Sequence, residues 1–483
     1  MLPGRLYAIV LVLHRIGRRR PSSPSMSRAT RWRSLDSQTP AATIQTMRFS
    51  LLARRAARRT PGTRLALPAF LALVASACGS PAIVVAPVPA PVSAHLAAPS
   101  RLEPVRALVS ATPFAMGMDS TLPARLDSII GLGITEGAAP GAAIAVGRFG
   151  RLVHLRGYGT LDYAAGSPAV EPTSLYDLAS LTKVVAATTV AMLLEDEGKL
   201  DLSRPVHSYL PEFDAPDKSG ITVQMLLTHR GGLESGAPLY RQYKGRAEYL
   251  AQINARPLKS LPGSATLYSD WDIVLLQAIV ERISGTTLDD LAASRVFRPL
   301  GMLDTKFTPD TADAALRRHI APTAIDSARG GLLQGTVHDG NAWALGGVSG
   351  HAGLFSSARD LATFAQFLLD GGSYDGVRIL APTTVARWTS RQGPASSRAL
   401  GWDTPAPASS AGRFFSPRSY GHTGFTGTSL WIDPARDLFV VLLTNRVNSR
   451  GSSTRYTQLR RDVADAIQSA ILDAPLIDWE ARR

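Results

Sequence analysis

The stretch Tyr176-Asp-Leu-Ala-Ser-Leu-Thr-Lys-Val-Val185 decides how the rest of the chain is interpreted. It holds Ser180 and Lys183 in the spacing S-x-x-K and leads directly into an apolar run, Val184 to Leu194. Apolar residues recur in that run at helical spacing, which predicts a buried helix. We therefore expect Ser180 in the first turn of this helix. Lys183 would lie beside it, because positions i and i+3 are neighbours on a helix surface.

This arrangement suits nucleophilic catalysis. A serine hydroxyl attacks well only when a neighbouring base takes its proton. A lysine enclosed by apolar residues loses solvation, so its neutral, basic form becomes more accessible. The free N–H groups at a helix N-terminus can also stabilise an oxyanion. The alternative is a serine cap followed by a surface lysine, and the four-residue motif alone does not exclude it.

The net charge is concentrated at the N-terminus. Of the formal charge of +14 over 483 residues, nearly all comes from residues 1–100, which hold fourteen arginines, no lysine and one acid, Asp36. The remainder is a near-neutral chain, long enough to bury a sizeable core. The high isoelectric point is therefore no sign of nucleic-acid binding, and we expect no nucleic-acid partner.

The chain divides into four segments by composition. Residues 1–46 are rich in Arg, Ser and Pro and are either disordered or an over-extended gene start. Residues 47–78 have a basic region, a short apolar run and small residues before Cys78, the order of a signal peptide. Residues 79–118 form a tether rich in Ala and Pro. Residues 119–475 are the predicted globular domain.

Cys78 stands where a lipid anchor would be attached. The segment resembles a bacterial lipoprotein signal, in which the cysteine is lipidated and becomes the mature N-terminus. Cleavage near Ala77, leaving a free thiol, is the alternative. Cys78 is the sole cysteine, so a disulfide within the chain is impossible. We expect an exported protein of the cell envelope, in the periplasm and anchored to the membrane by lipid.

Strand patterns lie at both ends of the domain, with helical patterns between them. This order predicts an α/β fold with one sheet that the C-terminal part completes, and with a helical insert. The predicted hairpins are Gly141–Val146 with Leu152–Tyr158, and Ser429–Ile432 with Leu438–Leu443. The predicted helices are Leu122–Ile134, a helix within Ile221–Arg230, Ile273–Ile283, Leu361–Leu369 and Thr457–Leu472.

Two further motifs accompany S-x-x-K: Tyr268-Ser269-Asp270, and His422-Thr423-Gly424 before Phe425. Their order and spacing resemble the serine β-lactamase and penicillin-binding-protein superfamily, in its class C β-lactamase, D-alanyl-D-alanine peptidase and esterase branch. The flanking stretches that look like this family are 226–233, 299–302 and 346–355. The combination of Tyr-Ser-Asp with His-Thr-Gly is similar to the penicillin-binding protein 4B-like subgroup. The resemblance implies an antiparallel sheet flanked by helices, with a large, mostly helical insert.

The resemblance also implies a role for each motif residue. Ser180 would be the nucleophile, Lys183 would take or relay its proton, and Tyr268 would return a proton to the leaving group. The backbone N–H groups of Ser180 and Phe425 would form the oxyanion hole. The remaining implied substrate-binding residues are Asp270, His422, Thr423 and Gly424.

Two positions depart from the family pattern. Asp270 replaces an Asn. A carboxylate near Lys183 would raise the pKa of the amine and make it a worse base, so Tyr268 would carry out more of the proton transfer. His422 replaces a Lys. With a pKa near the reference of about 6.5 it would be mostly neutral at pH 7, and would attract a substrate carboxylate less. Both changes favour peptidase or ester chemistry over efficient β-lactam hydrolysis.

Other polar residues are predicted to have supporting roles. His338, Asp339, Asn341 and His351 fit pocket lining or loop hydrogen bonding better than a zinc site, and His229 is predicted to be structural. We expect no metal and no cofactor. The chain would be a monomeric envelope serine hydrolase acting on a small peptide, ester or β-lactam, with peptidoglycan as a possible partner. The alternatives are a class C-type β-lactamase and a non-catalytic peptidoglycan-binding protein.

Overall fold

The computed structural model describes residues 106–482, except 449 and 452. The predicted segments 1–46 and 47–78, with Cys78, and most of the tether lie outside the described residues. The last part of the predicted tether is described, and it is part of the domain. Ala111 donates its N–H to the carbonyl of Leu152 at 2.9 Å, and Met118 is fully buried. The domain therefore begins before residue 119, because this segment pairs with a strand and contributes to the core.

The strands of the described residues form one five-stranded sheet, one small three-stranded sheet and two short pairs. A five-stranded antiparallel sheet has the order β10-β11-β12-β1-β2, so its first and last strands along the chain meet in its centre. The strands are β1 (Gly141–Arg148), β2 (Arg151–Gly159), β3 (Tyr176–Asp177), β4 (Lys306–Phe307), β5 (Ile325–Asp326), β6 (Gly331–Leu332), β7 (Leu354–Ser356), β8 (Ser373–Tyr374), β9 (Val377–Arg378), β10 (Tyr420–Gly424), β11 (Thr428–Asp433) and β12 (Leu438–Thr444).

Most helices lie between β2 and β10 in the sequence. Two helices, α2 and α6, are continuous with π-helical turns, at Lys183–Thr188 and Ala293–Phe297. The α-helices are α1 (Leu122–Thr135), α2 (Thr189–Asp196), α3 (Val223–Leu227), α4 (Arg246–Ala255), α5 (Asp270–Ser284), α6 (Leu288–Ala292), α7 (Ala314–Arg318), α8 (Gly340–Ala344), α9 (Ala358–Leu369), α10 (Pro382–Thr389) and α11 (Ser453–Ser469).

Both faces of the sheet are buried, because side chains alternate along each strand. Ile144 and Val146 of β1 pack with α1 and α11. Ala143 and Ala145, on the other face, pack with α9 and with the helix that follows Lys183. Antiparallel sheets often leave one face to water. Here helices cover both faces: α1 and α11 pack on one face, and α9 and the helix after Lys183 pack on the other.

The predicted elements are confirmed, with shifted boundaries. Both hairpins form, and β12 pairs with β1 in a register that sets Val441 opposite Ala145. The C-terminal helix begins and ends a few residues before the predicted Thr457–Leu472. The helix predicted within Ile221–Arg230 is short, since it ends before His229, which has a φ of 54°. Among the described residues, no helix is both long enough and apolar enough to span a bilayer.

The prediction for Ser180 needs a correction. Ser180 lies in the turn before the helix and not in its first regular turn. Ala179 adopts a left-handed φ of 45°, and its N–H donates to Asp177 Oδ1 at 2.8 Å. This turn changes the direction of the chain between β3 and the helix. The S-x-x-K contact survives because Lys183 N donates to the Ser180 carbonyl at 3.1 Å, one turn further on.

Candidate active site

The three motifs meet at one cavity of about 480 Å³. Ser180 lies at its floor, Tyr268 and Asp270 come from the start of α5, and His422 to Phe425 come from edge strand β10 and the turn after it. Each predicted site residue therefore lies in or directly beneath the cavity. The other lining residues are Ala179, His338, Asp339, His351, Ala352, Arg398, Asp403, Arg446 and Arg460.

Lys183 is fully buried beneath the cavity floor. Its Nζ donates to Ser180 Oγ at 3.0 Å and to the carbonyl of His351 at 3.0 Å. Asp270 Oδ1 lies 2.7 Å from the same Nζ. An ammonium has three donors and no acceptor. Three oxygen atoms surround this nitrogen, and this arrangement is that of a charged lysine.

The electrostatics of Lys183 reverse the expectation of a neutral base. Burial lowers the pKa of the amine, but the negative charge of Asp270 and the contact with Tyr268 outweigh burial, so the pKa lies above its ordinary value. Asp270 therefore raises the pKa of Lys183, as the sequence predicts, and this effect exceeds the lowering expected from burial. Lys183 is an ammonium at neutral pH and donates a hydrogen bond to the nucleophile.

Tyr268 lies at the centre of a group of cations and rings. The Nζ of Lys183 is 5.0 Å from its ring centroid and the guanidinium of Arg398 is 5.2 Å away. The ring of His229 lies 4.6 Å from it and the ring of His422 lies 6.0 Å away. Cations near the face of an aromatic ring are attracted to it. These neighbours hold the ring beside Lys183 and the nucleophile.

The turn after β10 is fastened to the turn that carries Ser180. Thr426 Oγ1 donates to the carbonyl of Asp177 at 2.6 Å, and Thr428 Oγ1 donates to that of Leu178 at 2.9 Å. A side chain at Gly424 would place its Cβ 2.3 Å from the Leu178 carbonyl oxygen, so this close approach requires glycine. The two turns whose N–H groups are expected to form an oxyanion hole are thus held together.

His422 is a neutral residue of the wall. Its Nδ1 lies 2.9 Å from the carbonyl of Thr423. Burial lowers the pKa of the imidazole well below its ordinary value, and the positive charges of Arg398 and Lys183 lower it further. Because Nδ1 faces a carbonyl oxygen it carries the proton, and Nε2 is then an acceptor. The neutral histidine expected from the sequence is therefore present, with a hydrogen-bond-accepting nitrogen where the family pattern has a lysine.

His351 supports Lys183 from the opposite side. The Nε2 of His351 lies 2.9 Å from Asp339 Oδ1, and its Nδ1 lies 2.7 Å from Ser349 Oγ. Burial raises the pKa of Asp339, but the charge and hydrogen bond of His351 dominate and hold this pKa below its usual range. No cluster of potential metal ligands occurs among the described residues. The role that geometry gives His351 is to fix the carbonyl that Lys183 contacts.

His338 and Asn341 have separate roles. The ring of His338 stacks on the exposed ring of Phe425, with centroids 5.7 Å apart, and lines the cavity. Asn341 Oδ1 accepts from the hydroxyl of Tyr249 at 3.0 Å and belongs to the loop structure. Pocket lining therefore describes His338, and loop hydrogen bonding describes Asn341.

His229 has a more specific position than the sequence indicated. Its carbonyl accepts from Leu267 N at 2.8 Å, and Ser269 N lies 3.3 Å from its Nδ1. The residues before and after Tyr268 are thus both bonded to His229. Asp272 Oδ2 also lies 3.0 Å from Nδ1. Burial lowers the pKa of His229 well below its ordinary value and raises the pKa of Asp272 well above its own, so the pair is neutral.

Three arginines of the cavity were not predicted: Arg398, Arg446 and Arg460. Arg446 Nε donates to the carbonyl of Phe425 at 2.6 Å, and Arg460 donates to that of Gly424 at 3.0 Å. Both therefore support the turn after β10, while Arg398 lies over Tyr268. These residues are far from the motifs in sequence, and no spacing or composition signal distinguishes them from surface arginines.

Comparisons with known proteins agree with this geometry. The family model described as Beta-lactamase matches residues 120–465. The protein named "Putative D-alanyl-D-alanine carboxypeptidase" from Salmonella agona strain SL483 is 33% identical over 377 residues, which cover 71% of this chain and 87% of that protein.

Solved structures show the same fold. The structure titled "EstCE1, a hydrolase with promiscuous acyltransferase activity" has a TM-score of 0.58 and 24% identity, and the match covers 72% of this chain and 99% of that one. A class C beta-lactamase has a TM-score of 0.59 and 18% identity, with 71% and 96% covered. The predicted β-lactamase/transpeptidase-like fold is confirmed. The chain belongs to the beta-lactamase family of serine hydrolases.

Proposed function

We propose that the chain hydrolyses peptides ending in a D-amino acid, a D-alanyl-D-alanine carboxypeptidase-type reaction through an acyl-enzyme on Ser180. The observation that carries the proposal is the 3.0 Å contact from Lys183 Nζ to Ser180 Oγ, beneath a cavity that also presents Tyr268. The name of the Salmonella relative agrees with this substrate class.

The mechanism follows from the charge of Lys183. Because the ammonium donates to Ser180 Oγ, it stabilises negative charge on this oxygen during attack and is not the group that removes the proton. Tyr268 takes the proton of Ser180 and passes its own proton to the leaving nitrogen as the C–N bond breaks. The acyl group is then an ester of Ser180. A water molecule reverses the sequence through Tyr268 and releases the acid.

Two features select a substrate with a terminal carboxylate. Arg398 provides a cation at the Tyr268 side of the cavity, and Thr423 also lines the cavity and carries a hydroxyl. An arginine binds a carboxylate through parallel hydrogen bonds, which gives direction as well as charge. Since His422 is neutral, Arg398 takes over the attraction that the family's lysine would exert.

A β-lactamase in the strict sense is the second candidate. Ser180 would be acylated in the same way, so the two functions differ in how fast water reaches the ester. We favour the peptidase because Lys183 is held as an ammonium and His422 is uncharged. A non-catalytic binding protein is the third candidate, and the complete set of Ser180, Lys183 and Tyr268 speaks against it.

The test follows the intact mass of the purified protein with a penicillin, and the release of D-alanine from a peptide ending in D-Ala-D-Ala. Ser180→Ala is the matched control. We expect D-alanine release and a long-lived penicillin adduct, both lost in Ser180→Ala. Rapid penicillin hydrolysis would instead assign a β-lactamase. Activity in neither assay, with esters cleaved, would move the assignment to ester chemistry.

We also propose that the protein is exported and anchored to the membrane by lipid on Cys78. The support is the order of basic, apolar and small residues in 47–78. Cys78→Ser should release the protein from the membrane fraction without loss of activity. If the wild-type protein is itself soluble in the periplasm, cleavage without lipidation is correct.

A further inference from the structure

One of the oxygen atoms around Lys183 Nζ belongs to the backbone. It is the carbonyl oxygen of His351, at 3.0 Å. His351 lies in the tight turn 349–352, in which Ser349 and Ala352 pair with each other. A backbone oxygen is placed only as well as the turn that carries it. The position of this turn therefore affects the ammonium that donates to the nucleophile.

Gln277 of α5 holds this turn from behind. Its side chain is buried, with 4% exposed. Its Oε1 accepts from Gly350 N at 2.8 Å, and its Nε2 donates to the carbonyl of Val348 at 3.3 Å and to Glu281 Oε1 at 3.0 Å. Because an N–H donates and a carbonyl accepts, these partners fix which way the amide faces. One side chain is thus bonded to the backbone on both sides of Ser349.

Gly350 lies in a narrow space between α5 and the helix that follows Lys183. A Cβ at this position would lie 2.9 Å from the carbonyl oxygen of Ile273 and 3.3 Å from Ala187 Cβ. The backbone of the turn therefore packs directly against both helices. Packing prevents the turn from moving toward α5, and the hydrogen bonds of Gln277 oppose a movement away from it.

The helix α5 thus contacts Lys183 by two routes. Asp270, its first residue, lies 2.7 Å from Nζ. Gln277 lies two turns further along the same helix, and it reaches the same nitrogen through Gly350 and the carbonyl of His351. A single helix therefore places both the carboxylate and the backbone carbonyl that surround the ammonium.

We propose that Gln277 is a positioning residue for the acylation of Ser180. It fixes the turn whose carbonyl accepts from Lys183 Nζ, and thereby the direction in which the ammonium donates to Ser180 Oγ. The proposal rests on the acyl-enzyme of the proposed function and adds to it a residue that is not among those lining the cavity. Without the Gln277 amide, Gly350 N is buried without this acceptor and the turn is less constrained.

Two variants of Gln277 separate positioning from stability. Gln277→Met keeps the approximate volume of the side chain and removes its hydrogen bonds. Gln277→Glu keeps an acceptor for Gly350 N in either protonation state, but it places a second carboxyl group beside Glu281, which costs stability. If Gln277 acts by position, kcat follows the acceptor and not the stability of the variant.

Gln468→Met is the matched control. Gln468 is also a buried glutamine of a helix, α11, and it contacts Arg436 at 2.7 Å and Asp433 at 3.2 Å. Its replacement therefore also removes buried hydrogen bonds. Because α11 packs on the face of the sheet opposite the helix of Lys183, this variant is destabilised without a route to the nucleophile.

The experiment measures the single-turnover rate at which a p-nitrophenyl ester acylates Ser180, together with thermal unfolding of each protein. We expect acylation at least about tenfold slower in Gln277→Met, with little change in the ester concentration at half-maximal rate, since small misplacements near the reacting groups cost up to roughly a hundredfold. Gln277→Glu should acylate within about threefold of the wild type although it is destabilised. Gln468→Met should acylate at the wild-type rate.

Three results would overturn the positioning role. One is wild-type acylation in Gln277→Met, the second is an equal loss in Gln277→Met and Gln277→Glu, and the third is an equal loss in Gln468→Met. If Gln277→Met does not fold, Gln277→Asn replaces it, because its amide is one methylene too short to reach Gly350 N.

The ester tests the positioning role separately from the natural substrate. Acylation by the ester without release of D-alanine from a D-Ala-D-Ala peptide would overturn the proposed substrate, and the comparison of the Gln277 variants would still decide the positioning role. No acylation of the wild-type protein by the ester would overturn the acyl-enzyme on Ser180 and the positioning role with it.

Discussion

Asp270 Oδ1 lies 2.7 Å from Lys183 Nζ, and one member of the pair is fully buried. This contact separates the site from one in which a neutral lysine takes the proton of the serine. Removing one partner of a buried ion pair leaves the other charge uncompensated. The contact therefore determines both the charge of Lys183 and the residue left to transfer the proton.

Asp270→Asn should shift the pH profile of kcat/KM. Without the carboxylate, burial lowers the pKa of Lys183, so the ammonium is lost at lower pH. We expect the alkaline limb of the profile to move toward lower pH by at least about one unit, measured on a D-Ala-D-Ala peptide. Asp403→Asn is the control, because Asp403 also lines the cavity and bonds to Ser397 and Thr404 instead. An acidic limb that moves, with a faster rate at neutral pH, would identify Lys183 as the base.

Tyr268→Phe should abolish most catalysis and preserve the fold. Phenylalanine keeps the ring between Lys183 and Arg398 but lacks the hydroxyl that transfers the proton. General acid–base catalysis contributes roughly 10²–10⁴-fold, so kcat should fall by that factor with little change in KM. Thermal unfolding of the variant should match the wild type. A loss of less than about threefold would remove Tyr268 from the proton path.

The three motifs can be recognised in the sequence because each of them is local. S-x-x-K requires one turn of chain to bring Ser180 to Lys183, and the hairpins follow from alternation within a few residues. The charge of Lys183 is less local. It depends on a buried contact with Asp270, a residue far away in the sequence. Whether Asp270 raises the pKa of Lys183 more than burial lowers it depends on the distance between the two charged groups, which only the structure provides.

Arg398 and His229 could not be assigned from the sequence. Arg398 lies over Tyr268 through a contact between segments that are far apart in the chain, and no periodicity in the sequence records that contact. His229 lies between the neighbours of Tyr268 because its left-handed φ of 54° ends α3 there. In both cases the function of the residue comes from tertiary contacts, whereas sequence patterns report local structure.

His229→Ala should lower kcat more than stability alone explains. The imidazole of His229 contacts Ser269 N and Asp272 and packs on the ring of Tyr268. Its loss therefore leaves the catalytic ring less constrained and leaves Asp272 buried without this partner. We expect a loss of about 1–3 kcal/mol in the free energy of unfolding. We also expect a fall in kcat with a smaller change in KM.

His229→Asn is the conservative variant, because asparagine tolerates a left-handed φ and offers an acceptor. It should recover part of kcat. Ile253→Val, in the buried core at α4, is destabilised without contact to Tyr268 and should keep its kcat. If both destabilised variants lose kcat equally, His229 has only a structural role.

Arg398→Ala should weaken binding of substrates that end in a free carboxylate. Truncating one partner of a buried charge pair costs about 2–5 kcal/mol, so KM for a D-Ala-D-Ala peptide should rise at least about tenfold. The same peptide with an amidated C-terminus carries no charge and should be affected much less. Equal losses on both peptides would mean that Arg398 acts through the position of Tyr268 and not on the carboxylate.

Asp177 makes stability depend on pH in a defined direction. Its Oδ1 and Oδ2 accept from the N–H groups of Ala179 and His338, at 2.8 and 2.6 Å. Burial nevertheless raises the pKa of this carboxyl from 3.8 to about 6. The folded state therefore binds the proton more tightly than the unfolded state. Protonation contributes stability at low pH, and this contribution is lost as pH rises from about 4 to above 6.

Asp177→Asn does not titrate, so it isolates this contribution. It loses one acceptor and should be less stable than the wild type at pH 4. As pH rises to 7, the wild type should lose up to about 3 kcal/mol relative to the variant, since two pKa units correspond to roughly that free energy. Urea denaturation of both proteins at several pH values measures the difference. A difference that stays constant, or that grows in favour of the wild type as pH rises, would show that the two N–H donors outweigh burial and that Asp177 is ionised throughout.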